Sequence, residues 1–104
     1  TADLDAATRR QLERGQRTVE VLKQGQFTPQ PMEQQVMVIY AVTNGYLDEV
    51  PVDQVGRWES EFQRFMRTAH SEIGEKIAES RLLEDDTETS LQVAIQEFQK
   101  QFSV

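Results

Sequence analysis

The apolar positions of this chain recur at helical spacing in almost every segment. From Asp5 to Gln24 the apolar or small residues Thr8, Leu12, Gly15, Val19 and Leu22 follow at steps of four, three, four and three, which puts them on one face of a helix. Arg10, Arg14 and Arg17 fall on the other face. Asp5 can cap the start by accepting backbone N–H bonds, and Gly25 can supply the left-handed residue that ends the helix. Two prolines, Pro29 and Pro31, exclude regular helix until Pro31 itself, whose missing N–H costs nothing at a first helical position. Met32, Val36, Ile39, Tyr40 and Val42 then predict a second, largely buried helix.

That helix runs into AVTNGYLDEVPVDQ, Ala41 to Gln54, where Asn-Gly and Val-Pro interrupt the pattern. Gly45 can take the left-handed conformation that closes a helix, and Pro51 holds Val50 extended before opening the next one. The segment reads as a tight corner between two packed helices, with Tyr46 and Leu47 as its apolar cover. A third helix, from about Pro51 to His70, carries the strongest apolar stripe: Val55, Trp58, Phe62, Phe65 and Met66. A weaker fourth helix, Ser71 to Glu79, has Ile73 and Ile77 on one face and is loosened by Gly74. The last helix opens on Asp85 and Glu88 at capping-box spacing, with Leu91, Ile95, Phe98 and Phe102 behind them. No stretch alternates as a strand would. The expected fold class is all-α, a compact five-helix domain with short loops and no sheet.

A polypeptide of 104 residues is a single domain, 1–104, with a thin core. The expected core is Val36, Ile39, Tyr40, Trp58, Phe62, Ile95 and Phe98. The absence of cysteine removes disulfides, thiolate metal sites and thiol nucleophiles. The net charge is −7, unevenly spread, with five basic and four acidic residues through Phe27 but six and fourteen beyond it. That balance argues against a general polyanion binder, whose affinity rests on cations that neutralise phosphates. No apolar run approaches the ~20 residues that span a bilayer. A first residue that is Thr rather than Met is what a piece of a longer polypeptide would show.

Constellations that carry chemistry are missing from the sequence. The five glycines are scattered, with no phosphate loop ending in Lys-Ser/Thr, and no HExxH or Glu-x-x-His pair occurs. His70, the single histidine, falls at a helix end, where a ring that complements the helix dipole is common. The run Glu84 to Glu88 lacks the spacing of a calcium loop and fits a solvated helix start. The aromatic stripe at Trp58, Phe62 and Phe65 fits a core better than a stacked ligand. Arg10, Arg14 and Arg17 form the candidate interface: they can meet an acidic partner, or simply mark a solvated face. The expected catalytic, cofactor-binding and metal-binding sets are empty.

The wording of three segments adds a resemblance. LDAATRRQLERGQRTVEVLKQ (Leu4 to Gln24), QVMVIYAVTNGYLDEVPVDQVGRWE (Gln35 to Glu59) and DDTETSLQVAIQEFQKQF (Asp85 to Phe102) closely resemble, in order and spacing, the C-terminal helical domain of the alpha subunit of F-type ATP synthases. Gly25 stands where that family usually has Pro, Ser80 and Arg81 replace a Gly turn, and Gly74 occupies a position that is usually larger and apolar.

The resemblance implies a non-catalytic domain of an alternating alpha/beta hexamer around a rotating central stalk that couples ion flow to ATP synthesis. It implies beta and gamma subunits as partners, with no nucleic acid and no membrane insertion. It places the complex peripherally on the cytoplasmic face of an energy-coupling membrane. The family's nucleotide loop, with its ATP/ADP and Mg, belongs to the preceding domain, so no cofactor is expected in this segment. Read from the residues alone, two other functions stay open. One is a free-standing helical interaction module that docks through Arg10, Arg14 and Arg17. The other is a small enzyme built on His70, which would need carboxylates within hydrogen-bond reach of the ring.

Overall fold

A computed structural model of the protein describes the backbone of residues 2–27 and 30–102 and the side chains of 6–24 and 30–102. Five α-helices follow in order: α1 Ala2–Phe27, α2 Met32–Thr43, α3 Val55–Ala69, α4 Ser71–Ser80 and α5 Asp85–Gln101, with a single 3₁₀ turn at Val52–Gln54 before α3. No strand occurs among the described residues, in line with the all-α expectation. α1 lies across α2, α3 and the 3₁₀ turn, while α3 and α4 pack between α2 and α5.

The core collects where the stripe of α3 meets α5. Trp58 and Phe62 are fully buried, stacked at 4.8 Å between ring centroids, and Phe98 of α5 meets both edge-on at 5.3 and 5.6 Å. Such offset and edge-to-face pairs add about 0.5–1.5 kcal/mol each beyond the area they bury. Met37, Val38, Ala41 and Val42 of α2, Ile73 and Ile77 of α4, and Leu91, Ala94 and Ile95 of α5 complete it.

One member of the expected core lies elsewhere. Trp58, Phe62, Ile95 and Phe98 are buried, Val36 and Tyr40 pack at the margin, but Ile39 is exposed. α2 is apolar nearly all round, so its pattern has no contrast with which to choose a face, and the helix buries Met37, Val38, Ala41 and Val42 instead.

The larger correction concerns α1. Leu12, Val19 and Leu22, the expected inner stripe, are 65%, 52% and 53% exposed, whereas Arg17 and Val21 are buried. The inner face of α1 meets the Asp48 carboxylate and the Val50 carbonyl of the corner, acceptors that require donors, and a leucine has none to give. The ends of α1 also differ: the helix already runs from Ala2, so Asp5 lies inside it, with a side chain outside the described residues. Gly25 does not stop it either, because α1 continues to Phe27. Thr28 and Pro29 lie outside the described residues.

Pro31 is the residue before α2 rather than its first, and accepts at its carbonyl from the Gln34 and Gln35 N–H groups at 3.0 and 3.1 Å. The 3₁₀ turn absorbs Val52–Gln54, so α3 starts at Val55 and not at Pro51. Phe102 caps α5 just past its last turn, its ring 5.0 Å from the Arg57 guanidinium.

The expected capping box at Asp85 does not form. Glu84 precedes the helix without a capping hydrogen bond from its carboxylate, and Glu88 turns away to accept a hydrogen bond from the Tyr40 hydroxyl at 2.8 Å. Gln92 donates to the same hydroxyl oxygen at 2.8 Å, so Tyr40 ties α2 to α5. Between α4 and α5, Arg81 takes the left-handed position at φ 63°, its N–H bonded to the Ile77 carbonyl at 2.8 Å. Left-handed backbone costs a non-glycine residue roughly 1–2 kcal/mol.

Candidate functional site

The corner from Ala41 to Gln54 is built by backbone chemistry. At the end of α2 the Tyr46 N–H bonds the Ala41 carbonyl at 3.0 Å and the Gly45 N–H bonds that of Val42 at 3.3 Å, with Gly45 at φ 86°. This paired pattern closes a helix with a left-handed residue, as the Asn-Gly pair suggested. Leu47 is buried beneath the turn and Tyr46 half-buried beside it.

Two of the three candidate arginines converge on this corner from α1. Arg14 grips Asp48 as a fork, Nε donating to Oδ1 at 3.2 Å and Nη2 to Oδ2 at 2.7 Å. Bidentate pairs of this kind fix orientation as well as add energy. The hydrogen bond and charge of Asp48 raise the Arg14 pKa further, so the guanidinium stays charged. Arg17 is buried, and donates from Nε to the Val50 carbonyl at 2.7 Å and from Nη1 to the Glu13 carbonyl of its own helix at 2.9 Å. A Cβ on Gly45 would come within 2.7 Å of Arg14 Nη2, so the glycine serves the approach as well as the turn.

Arg10 does not join them. It is exposed, and together with Arg9, Glu13, Asp48 and Glu49 it lines a polar cleft of about 230 Å³ on the outside of the same corner. Asp48 and the Val50 carbonyl are partners that the sequence could not nominate, since they lie 34 and 33 residues from their arginines.

A second polar feature sits among apolar neighbours. Glu59 is only 7% exposed on α3, one face with Val55, Phe62 and Met66, and its Oε1 has no hydrogen-bond partner among the described residues. Burial pushes its pKa up to about 7. The signal existed in the sequence, because Glu59 and Gln63 stand four and eight residues after Val55, inside the helical stripe.

His70 lies at the α3/α4 junction, its Nε2 3.2 Å from Glu97 Oε2 and its Nδ1 3.6 Å from Glu72 Oε1. The carboxylates that a His-based site would need are thus at hand. The ring also packs on Phe65 at 5.3 Å, and it lines neither the corner cleft nor the clefts beside Glu59 and Gly74, so the cluster works as a tie between α3, α4 and α5. Among the described residues no group of three or more His, Asp or Glu could hold a metal, and no helix is long and apolar enough to cross a membrane.

Comparison with known proteins finds close relatives over nearly the whole sequence. The ATP synthase alpha subunit of Thermobifida fusca is 52% identical over 101 residues, covering 97% of this chain and 18% of that protein. Those of Desulforudis audaxviator and Syntrophomonas wolfei are 48% and 46% identical, over 97% and 99% of this chain and 20% of each relative. The sequence therefore spans about a fifth of the length of these relatives. The family model described as "ATP synthase alpha/beta chain, C terminal domain" matches residues 1–98. With its five helices and its arginine-held corner, this chain belongs to the family of C-terminal domains of ATP synthase alpha and beta subunits.

Proposed function

We propose that the protein acts as the non-catalytic C-terminal domain of an ATP synthase alpha subunit, within an alpha/beta hexamer around the central stalk. The observation that carries this reading is identity of about half over nearly the whole sequence with alpha subunits. The geometry supports a mechanical role: stacked rings fix α3 on α5, and Arg14 and Arg17 fix α1 on the corner. A block held at both ends can turn as a rigid body about its linker, passing force between stalk and nucleotide domain while its own contacts persist. Nucleotide and Mg then belong to the preceding domain, and the complex sits peripherally at the membrane. Arg10 and Arg9, the cations of α1 left facing the outer cleft, are the residues offered to a beta or gamma subunit.

The test replaces the corresponding segment of the Thermobifida fusca alpha subunit with this sequence and reconstitutes the complex with its other subunits. Assembly with retained ATP hydrolysis is expected. Failure to assemble, or saturable ATP binding by the isolated domain in calorimetry, contradicts the reading.

A further inference from the structure

We propose that the cleft between α1, α2 and α3 is a binding site for a cationic nitrogen on an apolar stem, an alkylammonium or alkylguanidinium seated on the Glu59 carboxylate. The cleft holds about 230 Å³ and opens to solvent beside Leu22 and Ile39, both exposed. Val21, Val38 and Ile39 give it apolar walls, and Gln35 and Gln63 add polar edges. Glu59 supplies the charge. It is more than nine-tenths buried, it lines the cleft, and its Oε1 lacks a partner among the described residues.

A buried acceptor left without a partner is costly, more so when charged, and proteins keep few of them. A ligand with N–H donors and a positive charge satisfies the oxygen and the charge together, whereas a neutral donor satisfies only the first. An anion is repelled by the same carboxylate. A divalent metal would want several oxygen ligands, and Glu59 is the one carboxylate among the described residues lining this cleft.

Among the described residues no resident cation competes for the place. Burial is the sole cause of the Glu59 shift, with no charged neighbour contributing. On α1 the Arg17 guanidinium is spent on the Val50 and Glu13 carbonyls, and Lys23 is exposed and 3.9 Å from Glu20. On α2 the acidic Glu33 lines a different cleft, and on α3 the residues one turn either side of Glu59, Val55 and Gln63, are uncharged. The stem length that fits is short, since the walls are single valine and isoleucine side chains. The cation can come from a free amine or from a lysine or arginine side chain of adjoining polypeptide, and both present the same chemistry.

Carboxyl-labelled NMR of the domain, titrated with n-butylguanidinium and n-butylammonium, tests the site. The cations are expected to lower the Glu59 midpoint by about one unit or more, the usual effect of an adjacent opposite charge. n-Butanol should leave it unchanged, and E59Q, which should still melt cooperatively, should lose saturable binding of both cations. An unmoved Glu59 midpoint, an equal shift with n-butanol, or undiminished binding to E59Q overturns the proposal. The same measurement on the alpha-subunit chimera separates the sources. A Glu59 midpoint already lowered there and insensitive to the probes marks a polypeptide cation, and a midpoint still responsive marks a free one. A midpoint that is neither lowered nor responsive in the chimera counts against the site.

Discussion

Two sides of α3 are held by different physics. Toward α5, Trp58, Phe62 and Phe98 lock through burial and ring geometry, and a stripe at helical spacing on each of the two helices announces them. Toward α1, the corner before α3 is held by guanidinium groups, one on a carboxylate and one on a backbone carbonyl, with the nearby leucines of α1 turned to solvent. Apolar burial as such is non-directional, whereas a forked hydrogen bond sets a register. The two fastenings are complementary, packing on one side and alignment on the other.

Loss of an aromatic anchor is the largest change expected. Phe62→Ala leaves a cavity beneath Trp58 and Phe98 and should cost about 3–5 kcal/mol in urea melts. A loss under about 1 kcal/mol would mean that the rings are not the stronger of the two fastenings.

Beside Trp58 and facing the cleft with α1 and α2, Glu59 makes stability depend on pH. Its carboxyl ordinarily titrates near 4.5 and is pushed up to about 7 by burial, so the fold favours the protonated form. Stability from this group is complete below its unfolded value and is lost as pH rises through the folded one. A shift of that size corresponds to about 3 kcal/mol at most between pH 4.5 and 8. Melts at pH 5 and pH 8 should show the decline in the wild type and a much flatter profile in E59Q; parallel profiles would remove Glu59 as the cause.

A smaller effect is expected at the corner from Gly45→Ala, which combines left-handed strain of roughly 1–2 kcal/mol with displacement of Arg14. Pairing it with Arg14→Ala sharpens the comparison: if the glycine only shapes the turn, the two costs add, and if it also makes room for the fork, they do not. The smallest effect is a gain. A Cβ on Gly74 would sit 3.6 Å from Met37 and 3.7 Å from Glu33, ordinary contacts in mid-helix. Gly74→Ala should therefore stabilise α4 by about 0.5–1 kcal/mol by thermal melting.

The legibility of the two fastenings in the sequence differs in the same way. The α3 and α5 stripes are readable because a one-sided pattern has only one way to be buried, and Gly45 because only a left-handed position explains Asn-Gly after α2. α1 misleads because its apolar spacing is genuine but unused, its docking face being chosen by a carboxylate and a carbonyl more than 30 residues away. No local pattern records such a pairing. The α5 capping box fails for a related reason, since Glu88 finds a better partner in Tyr40, 48 residues distant. Of the candidate interface, the residue types are visible, yet the inward turn of Arg14 and Arg17 is settled only by tertiary geometry.

Native-state hydrogen exchange of Arg17→Met separates the two fastenings in a single experiment, because methionine keeps the stem and removes only the donors. If guanidinium groups hold α1 independently of the rings, α1 amides from about Glu13 to Val21 should exchange at least tenfold faster, a loss of about 1.4 kcal/mol, while protected amides of α3 and α5 keep their rates. Unchanged exchange in α1, or an equal loss across α3 and α5, would contradict a corner held by arginine.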